Sequence, residues 1–226
     1  LHDAADRGVH VRILVDGMES WIDMEGNPYF YGLSSHENVE IKLYNKANPL
    51  KPWKTMGRMH DKYLIADGKI YILGGRNTYN YFLGDFPGHK NFDRDVLVVC
   101  DEPQKDNSVN QLWNYFETIW EQEDCRYFHN SKKLADRQSV KKAVLELQEG
   151  YQQYFEVNKE KICDTDYADE TFETEKITLL SNPIHTQAKE PVVWYQLGEL
   201  MKNAKERVKI HTPYIICNDM MYNTWE

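Results

Sequence analysis

What the sequence lacks narrows its class first. No stretch approaches the roughly 18 uninterrupted apolar residues of a membrane-spanning helix, so no such helix lies within these residues. Peripheral contact with a membrane stays open. There is no excess of Lys and Arg: 27 basic side chains face 36 acidic ones, a formal charge of −9, which argues against a nucleic-acid binder relying on a broad basic face. The cysteines, Cys100, Cys125, Cys163 and Cys217, are far apart and form no C-x-x-C pair. Neither a disulfide framework nor a zinc knuckle is indicated, and a reducing compartment fits best. The chain opens at Leu1 with no basic n-region or apolar h-region, so no targeting signal is visible, and the start reads as a cut.

What is present is ordinary globular chemistry. A chain of 226 residues, 41% of them hydrophobic, is one large domain or two small ones with enough apolar surface for a core. Leu1 to Gly8 reads as the tail of a helix closed by a glycine, and Val9, Val11, Ile13 and Val15 alternate as a strand. Val39, Ile41 and Leu43 repeat that period. Lys62 to Ala66 and Lys69 to Leu73 flank Asp67-Gly68, a two-residue hairpin signal, and Asp93 to Cys100 reads as a further strand. Ser108 with Gln111 predicts a capping box ahead of a helix bearing Leu112, Phe116, Ile119 and Trp120 on one face, and a second long helix is predicted over Asp136 to Val157. Glu156 to Glu175 holds eight acidic residues and two lysines, the composition of a solvated linker. Beyond it, Lys176 to Leu180 and Val208 to Thr212 read as strands around a helix starting with Pro191 at N1.

Charge is uneven along the chain: residues 1–100 balance at −1 and residues 101–226 at −8. Lys51, Lys54, Arg58, His60 and Lys62 form a local basic cluster opposed only by Asp61. Such a cluster suits an anionic ligand. Within it lies His60-Asp61-Lys62-Tyr63-Leu64-Ile65-Ala66-Asp67, an H-x-K-x-x-x-x-D pattern that runs into the hairpin. Strand periodicity sets His60 and Lys62 on one face, an imidazole nucleophilic near pH 7 beside a fixed ammonium. That pairing suits attack on a phosphodiester phosphorus, the lysine neutralising charge on the phosphoryl oxygens. Gly74-Gly75-Arg76-Asn77 follows, two glycines that admit a ligand close to the backbone and an amide donor for a phosphate oxygen.

Residues 60–67 and 74–77 resemble the phospholipase D superfamily, whose HKD motif is H-x-K-x-x-x-x-D followed by G-G/S-x-N. Arg7-Gly8-Val9 with Val11-Arg12, Phe92-Asp93-Arg94-Asp95 and Thr212-Pro213-Tyr214 are similar to its bacterial cardiolipin synthase and phospholipase D-like branch. The departures are Gly75, where many relatives have serine, and Arg76 in the variable slot. Arg76 either pairs with a lipid phosphate or stands exposed and unbound. Tyr29, Phe30, Tyr31, Trp53, Tyr79, Tyr81 and Phe82 either fill the core or line an acyl entrance, with core packing favoured.

The resemblance implies an α/β phospholipase D-like fold, a mixed β-sheet flanked by helices on both faces. It implies two lobes, each giving one HKD motif to a shared site. No other histidine here completes the motif, so residues 1–158 are expected to be the first lobe without its first strand, 159–175 the linker, and 176–226 the start of a second lobe that stops before its motif. The second half comes from the same full-length chain, or from a dimer mate if the chain is complete. The implied reaction needs no metal or cofactor: one histidine attacks phosphorus to give a phosphohistidine and the other serves as acid, then base. His60 is the expected nucleophile, exchangeable with its missing counterpart, Lys62 and Asn77 hold phosphoryl oxygens with Gly75 beside them, and Asp67 fixes the motif geometrically. Asp95 resembles the acid that orients the opposite histidine, with Asp93 its competitor. The expected activity is phosphatidyl transfer of the cardiolipin synthase kind, with lipid or nucleic-acid hydrolysis and a non-catalytic phosphate-binding lobe as alternatives. Phospholipids and a membrane surface are the expected partners, nucleic acid is disfavoured, and the location is the cytoplasmic side of a bacterial inner membrane, peripheral or anchored upstream of Leu1.

Overall fold

Strand alternation and helix periodicity build the first layer as the sequence pattern requires. The computed structural model describes residues 1–46, 48, 50–79, 82, 88, 90–100, 106–164, 166–185, 189–212 and 222–223, without the side chain of Thr55. Tyr81, His89, Pro213, Tyr214 and Cys217 lie outside them. The chain divides into the units Leu1–Leu179 and Leu180–Glu226.

In the first unit, helix α1 (His2–Asp6) leads into strand β1 (Val11–Asp16), then helices α2 (Gly17–Asp23) and α3 (Pro28–Ser34) and strand β2 (Val39–Tyr44). A short 3-10 helix (Pro52–Met56) precedes the hairpin of β3 (Tyr63–Ala66) and β4 (Ile70–Gly74), followed by β5 (Asp95–Val99). Then come helix α4 (Ser108–Trp120), strand β6 (Cys125–Tyr127) and helices α5 (Lys132–Ala135) and α6 (Gln138–Cys163). The second unit holds α7 (Val192–Lys202).

The strands form two three-stranded sheets, β1-β2-β6 and β3-β4-β5. The first is mixed, with β1 and β2 parallel and β6 antiparallel to β2. Helices cover both its faces. Val39, Ile41 and Leu43 pack with Ala5, Tyr31, Phe128 and Val140 of the α1, α3 and α6 side. The alternate residues Arg12 and Lys42 turn to α4: Arg12 pairs with Glu117 through both terminal guanidinium nitrogens, and buried Lys42 donates to the Trp120 carbonyl at 2.8 Å. Lysine there meets the negative end of the helix. The α/β reading with a mixed, doubly covered sheet therefore holds.

The second sheet is antiparallel. Tyr71 and Val98 on one face bury against Val109 and Leu112 of α4. One helix thus braces both sheets. On the other face Leu64, Ile70 and Ile72 are 54%, 38% and 44% exposed. The hairpin turn is the one expected: Asp67 and Gly68 take φ of 53° and 65°, and Lys69 N–H donates to the Ala66 carbonyl at 3.0 Å.

Several elements differ from expectation. Asn107, not Ser108, caps α4, its side chain accepting from Asn110 N–H, while Ser108 is buried inside the first turn and accepts from Tyr71 Oη at 3.2 Å. Helix α6 continues past the expected end at Val157 to Cys163, with Lys161 in its last turn at the negative end of the helix. Pro191 is the N-cap of α7 and not its first helical residue. Residues 176–180 and 208–212 join no sheet. For the first, the reason is visible: Leu179 N–H donates to Gln111 Oε1 at 3.0 Å and its side chain packs on the α4 cluster, so the segment lies on a helix. Among the described residues no helix is long and apolar enough to cross a membrane.

Candidate active site

The approach to the motif is fixed before the motif begins. Asp16 closes β1 and caps α2, its Oδ1 accepting from Met18 and Glu19 N–H at 3.0 and 3.2 Å. The same carboxylate accepts from Arg58 Nε and Met59 N–H, each at 2.9 Å. Burial alone would raise the Asp16 carboxyl, but the Arg58 and backbone donors outweigh it and hold it below its ordinary value. Arg58 also reaches Glu19 at 2.7 Å, and Lys54 reaches Asp124 at 2.9 Å. The basic cluster of the sequence is therefore partly spent on structure, because two of its cations already pair with carboxylates remote in sequence.

His60 and Lys62 precede β3, which starts at Tyr63, so strand periodicity does not set their faces. Lys62 Nζ instead folds back to the His60 main-chain carbonyl at 2.7 Å, so the ammonium is held on the backbone of the histidine. The His60 ring is exposed and makes no hydrogen bond among the described residues. Partial burial lowers the Lys62 ammonium against the opposing charges of Asp61 and Asp93. Between the two, Asp61 accepts from Tyr115 Oη of α4 at 2.7 Å.

The glycines are required by two acids. In the ladder Gly74 faces Asp95, and a Cβ on Gly74 would collide with the Asp95 carboxylate and come within 2.9 Å of the Arg94 carbonyl. A Cβ on Gly75 would meet the Asp93 carboxylate at 2.9 and 3.0 Å. Arg76 does not stand unbound: its Nε donates to Asp95 Oδ2 at 2.6 Å and its Nη1 to the Phe82 carbonyl at 2.7 Å. Asp95 is thus clamped, while Asp93 bears on Lys62 and Gly75.

The structure gathers Lys62, Gly75, Asp93 and Asp95 at the open end of the hairpin, where Gly74 N–H donates to the Lys62 carbonyl at 3.2 Å. Asn77 follows two residues on, and its amide makes no hydrogen bond among the described residues. Asp67 is apart from them at the turn, where its φ of 53° shapes the hairpin. Sequence reasoning missed Asp16, Arg58 as an anchor, and Tyr115. Only Asp16 carried a local signal, a carboxylate opening a helix at the end of a strand. Of the aromatics, Tyr31 is buried in the core, whereas Trp53 is 71% exposed.

One cluster elsewhere has the residue types of a metal site: His2, Asp6 and His36, with ligand atoms within 4.8 Å of one another. Asn38 N–H donates to His36 Nδ1 at 3.1 Å, which puts the ring proton on Nε2, the nitrogen beside Asp6 at 3.1 Å. That tautomer opposes a metal at Nε2, and the trio ties α1 to the turn before β2.

The family model described as "Cardiolipin synthase, PLD-like domain" matches residues 1–120, which hold both sheets except β6 and the whole candidate site. The chain belongs to the phospholipase D superfamily. An uncharacterised protein of Helicobacter pylori strain 26695 is 26% identical across 96% of the chain and 45% of its own length. A second, from strain J99, is 32% identical across 53% of the chain and 26% of its own length. Cardiolipin synthase C of Escherichia coli K12 is 29% identical across 42% of the chain and 22% of its own length. The chain thus spans less than half of each of these relatives. No solved structure matches it at a significant level. For a phospholipase D-like domain, a histidine and lysine presented at a hairpin beside two close-packed glycines is the arrangement in which phosphodiester chemistry is sought.

Proposed function

We propose that this domain serves a phosphatidyl-transferring enzyme of the cardiolipin synthase kind. The observation that carries the reading is an exposed His60 whose backbone carbonyl holds the Lys62 ammonium, at the hairpin edge where Gly74 N–H meets the Lys62 carbonyl. In the first step a His60 ring nitrogen bonds to phosphorus and the phosphorus–oxygen bond to the leaving alcohol breaks. The alcohol takes a proton from the histidine of the second half. That histidine then removes the proton of an acceptor hydroxyl, whose oxygen displaces the His60 nitrogen and frees the ring. Lys62 and Asn77 hold the non-bridging oxygens, and Gly75 leaves room beside them. Asp95, braced by Arg76, orients the incoming histidine.

The second half belongs to the same full-length chain, or to a dimer mate. The relatives' greater length and the exposed Leu64, Ile70 and Ile72 face support a further partner for this unit. A phospholipid substrate would place the working protein at the cytoplasmic side of the inner membrane.

The test is product analysis by the full-length protein on headgroup- and acyl-labelled phosphatidylglycerol. Labelled cardiolipin is the expected product. Phosphatidic acid alone would make the enzyme a hydrolase, and no turnover with retained phosphate binding would make this lobe non-catalytic.

A further inference from the structure

The chain between β2 and β3 is a braced loop with an apolar crest. Asn45, at φ 50°, donates its side-chain amide to the Lys54 and Gly57 carbonyls at 2.6 and 2.7 Å. Lys54 is tied to Asp124 and Arg58 to Asp16 and Glu19, so the base of the loop is held to three other parts of the unit. From this base Leu50, Trp53 and Met56 project at 84%, 71% and 84% exposure. Side chains three apart in a 3-10 helix eclipse one another, so Trp53 and Met56 stand on one side of Pro52–Met56. Ion pairs and backbone bonds hold the loop, so its largest apolar side chains are not needed to hold it.

Charge on the same stretch is one-sided. Residues 45–60 contain no Asp or Glu, in a chain of formal charge −9. With Lys54 and Arg58 committed to pairs, Lys46 and Lys51 are its exposed cations with no ion pair among the described residues, Lys46 also lying in the field of Glu25. Three apolar tips beside two ammonium groups, one tip a tryptophan, match the boundary between acyl chains and anionic headgroups better than a purely apolar protein groove.

We propose that Leu50, Trp53 and Met56 form a wedge that seats the protein on an anionic phospholipid surface, with Lys46 and Lys51 meeting the headgroups. The loop runs straight into His60, so seating it brings the site to its lipid. The inference rests on the phospholipid reading and adds the surface by which the substrate is met.

The experiment compares the full-length protein with a Leu50→Ser/Trp53→Ser/Met56→Ser variant and with Lys51→Glu. Sedimentation measures binding to phosphatidylcholine vesicles with and without phosphatidylglycerol, and circular dichroism verifies folding. The triple variant is expected to bind mixed vesicles at least about tenfold more weakly. Lys51→Glu is expected to weaken binding to mixed vesicles and leave phosphatidylcholine binding unchanged. Turnover of a short-chain phosphatidylglycerol below its critical micelle concentration should stay at the wild-type rate in both variants. A wild type that seats through these residues but turns over no lipid upholds the wedge and removes the transferase reading. Undiminished vesicle binding by the triple variant overturns the wedge. So does a wild type that ignores vesicles, including one that self-associates through the same three residues.

Discussion

Gly74 and Gly75 are neighbours with unequal constraints. A methyl group at Gly74 meets the Asp95 carboxylate and the Arg94 backbone, whereas at Gly75 its nearest neighbours are the carboxylate atoms of Asp93. Backbone yields less than a side-chain tip, so Gly74→Ala is predicted to cost about 2 kcal/mol and Gly75→Ala about half of that in urea denaturation. Equal costs, or the reverse order, would show that the acids do not press on these glycines as described. Asp16 carries a second residue-scale prediction. Its folded pKa is held below that of an ordinary carboxylate by the Arg58 and backbone donors, so its stabilisation is present above the unfolded value and is lost as pH falls through the folded one. Asp16→Asn should therefore be less stable than wild type by about 2 kcal/mol at pH 7, and the gap should close below about pH 4. A gap that persists unchanged at pH 3 would contradict the role of the charge. The motif residues were legible because they are adjacent in sequence. Asp16 with Arg58, and Arg76 with Asp95, were not, because pairs 42 and 19 residues apart are made only when strands align.

At the scale of elements, α4 decides the positions of both sheets. Its first half buries Val109 and Leu112 under β4 and β5, and its second half receives Arg12 and Lys42 from β1 and β2. Leu112→Ala, at a residue only 1% exposed, is predicted to cost about 3 kcal/mol in chemical denaturation. It should also reduce any His60-dependent activity, since Tyr115 of the same helix holds Asp61. A cost below about 1 kcal/mol would mean that α4 is not the brace. The strands β1 to β5 were readable from period-2 alternation and the Asp-Gly turn. Helices α2 and α3 and strand β6 were not, because they are short and their apolar residues show too few repeats to declare a period. The strand pattern at Lys176 to Leu180 misled for the opposite reason: alternation describes a face, and here the face is offered to a helix.

For the whole molecule, the acidic balance is unevenly distributed about the candidate site. The excess lies after residue 100, and within the first unit carboxylates from Asp16, Glu19 and Asp124 take up the cations that flank the motif, leaving His60 and Lys62 at the hairpin's edge. The family followed from the resemblance that the motif carries, and the α/β architecture from what that resemblance implies, while the way the two sheets share one helix did not, because no local pattern encodes it. The central claim is that His60 is the nucleophile of a phosphodiester-transferring site. The most direct test is turnover of labelled phosphatidylglycerol by the full-length protein and its His60→Ala variant, each verified as folded. The account predicts a loss of about a thousandfold or more in the variant. Equal turnover by the two proteins would contradict it.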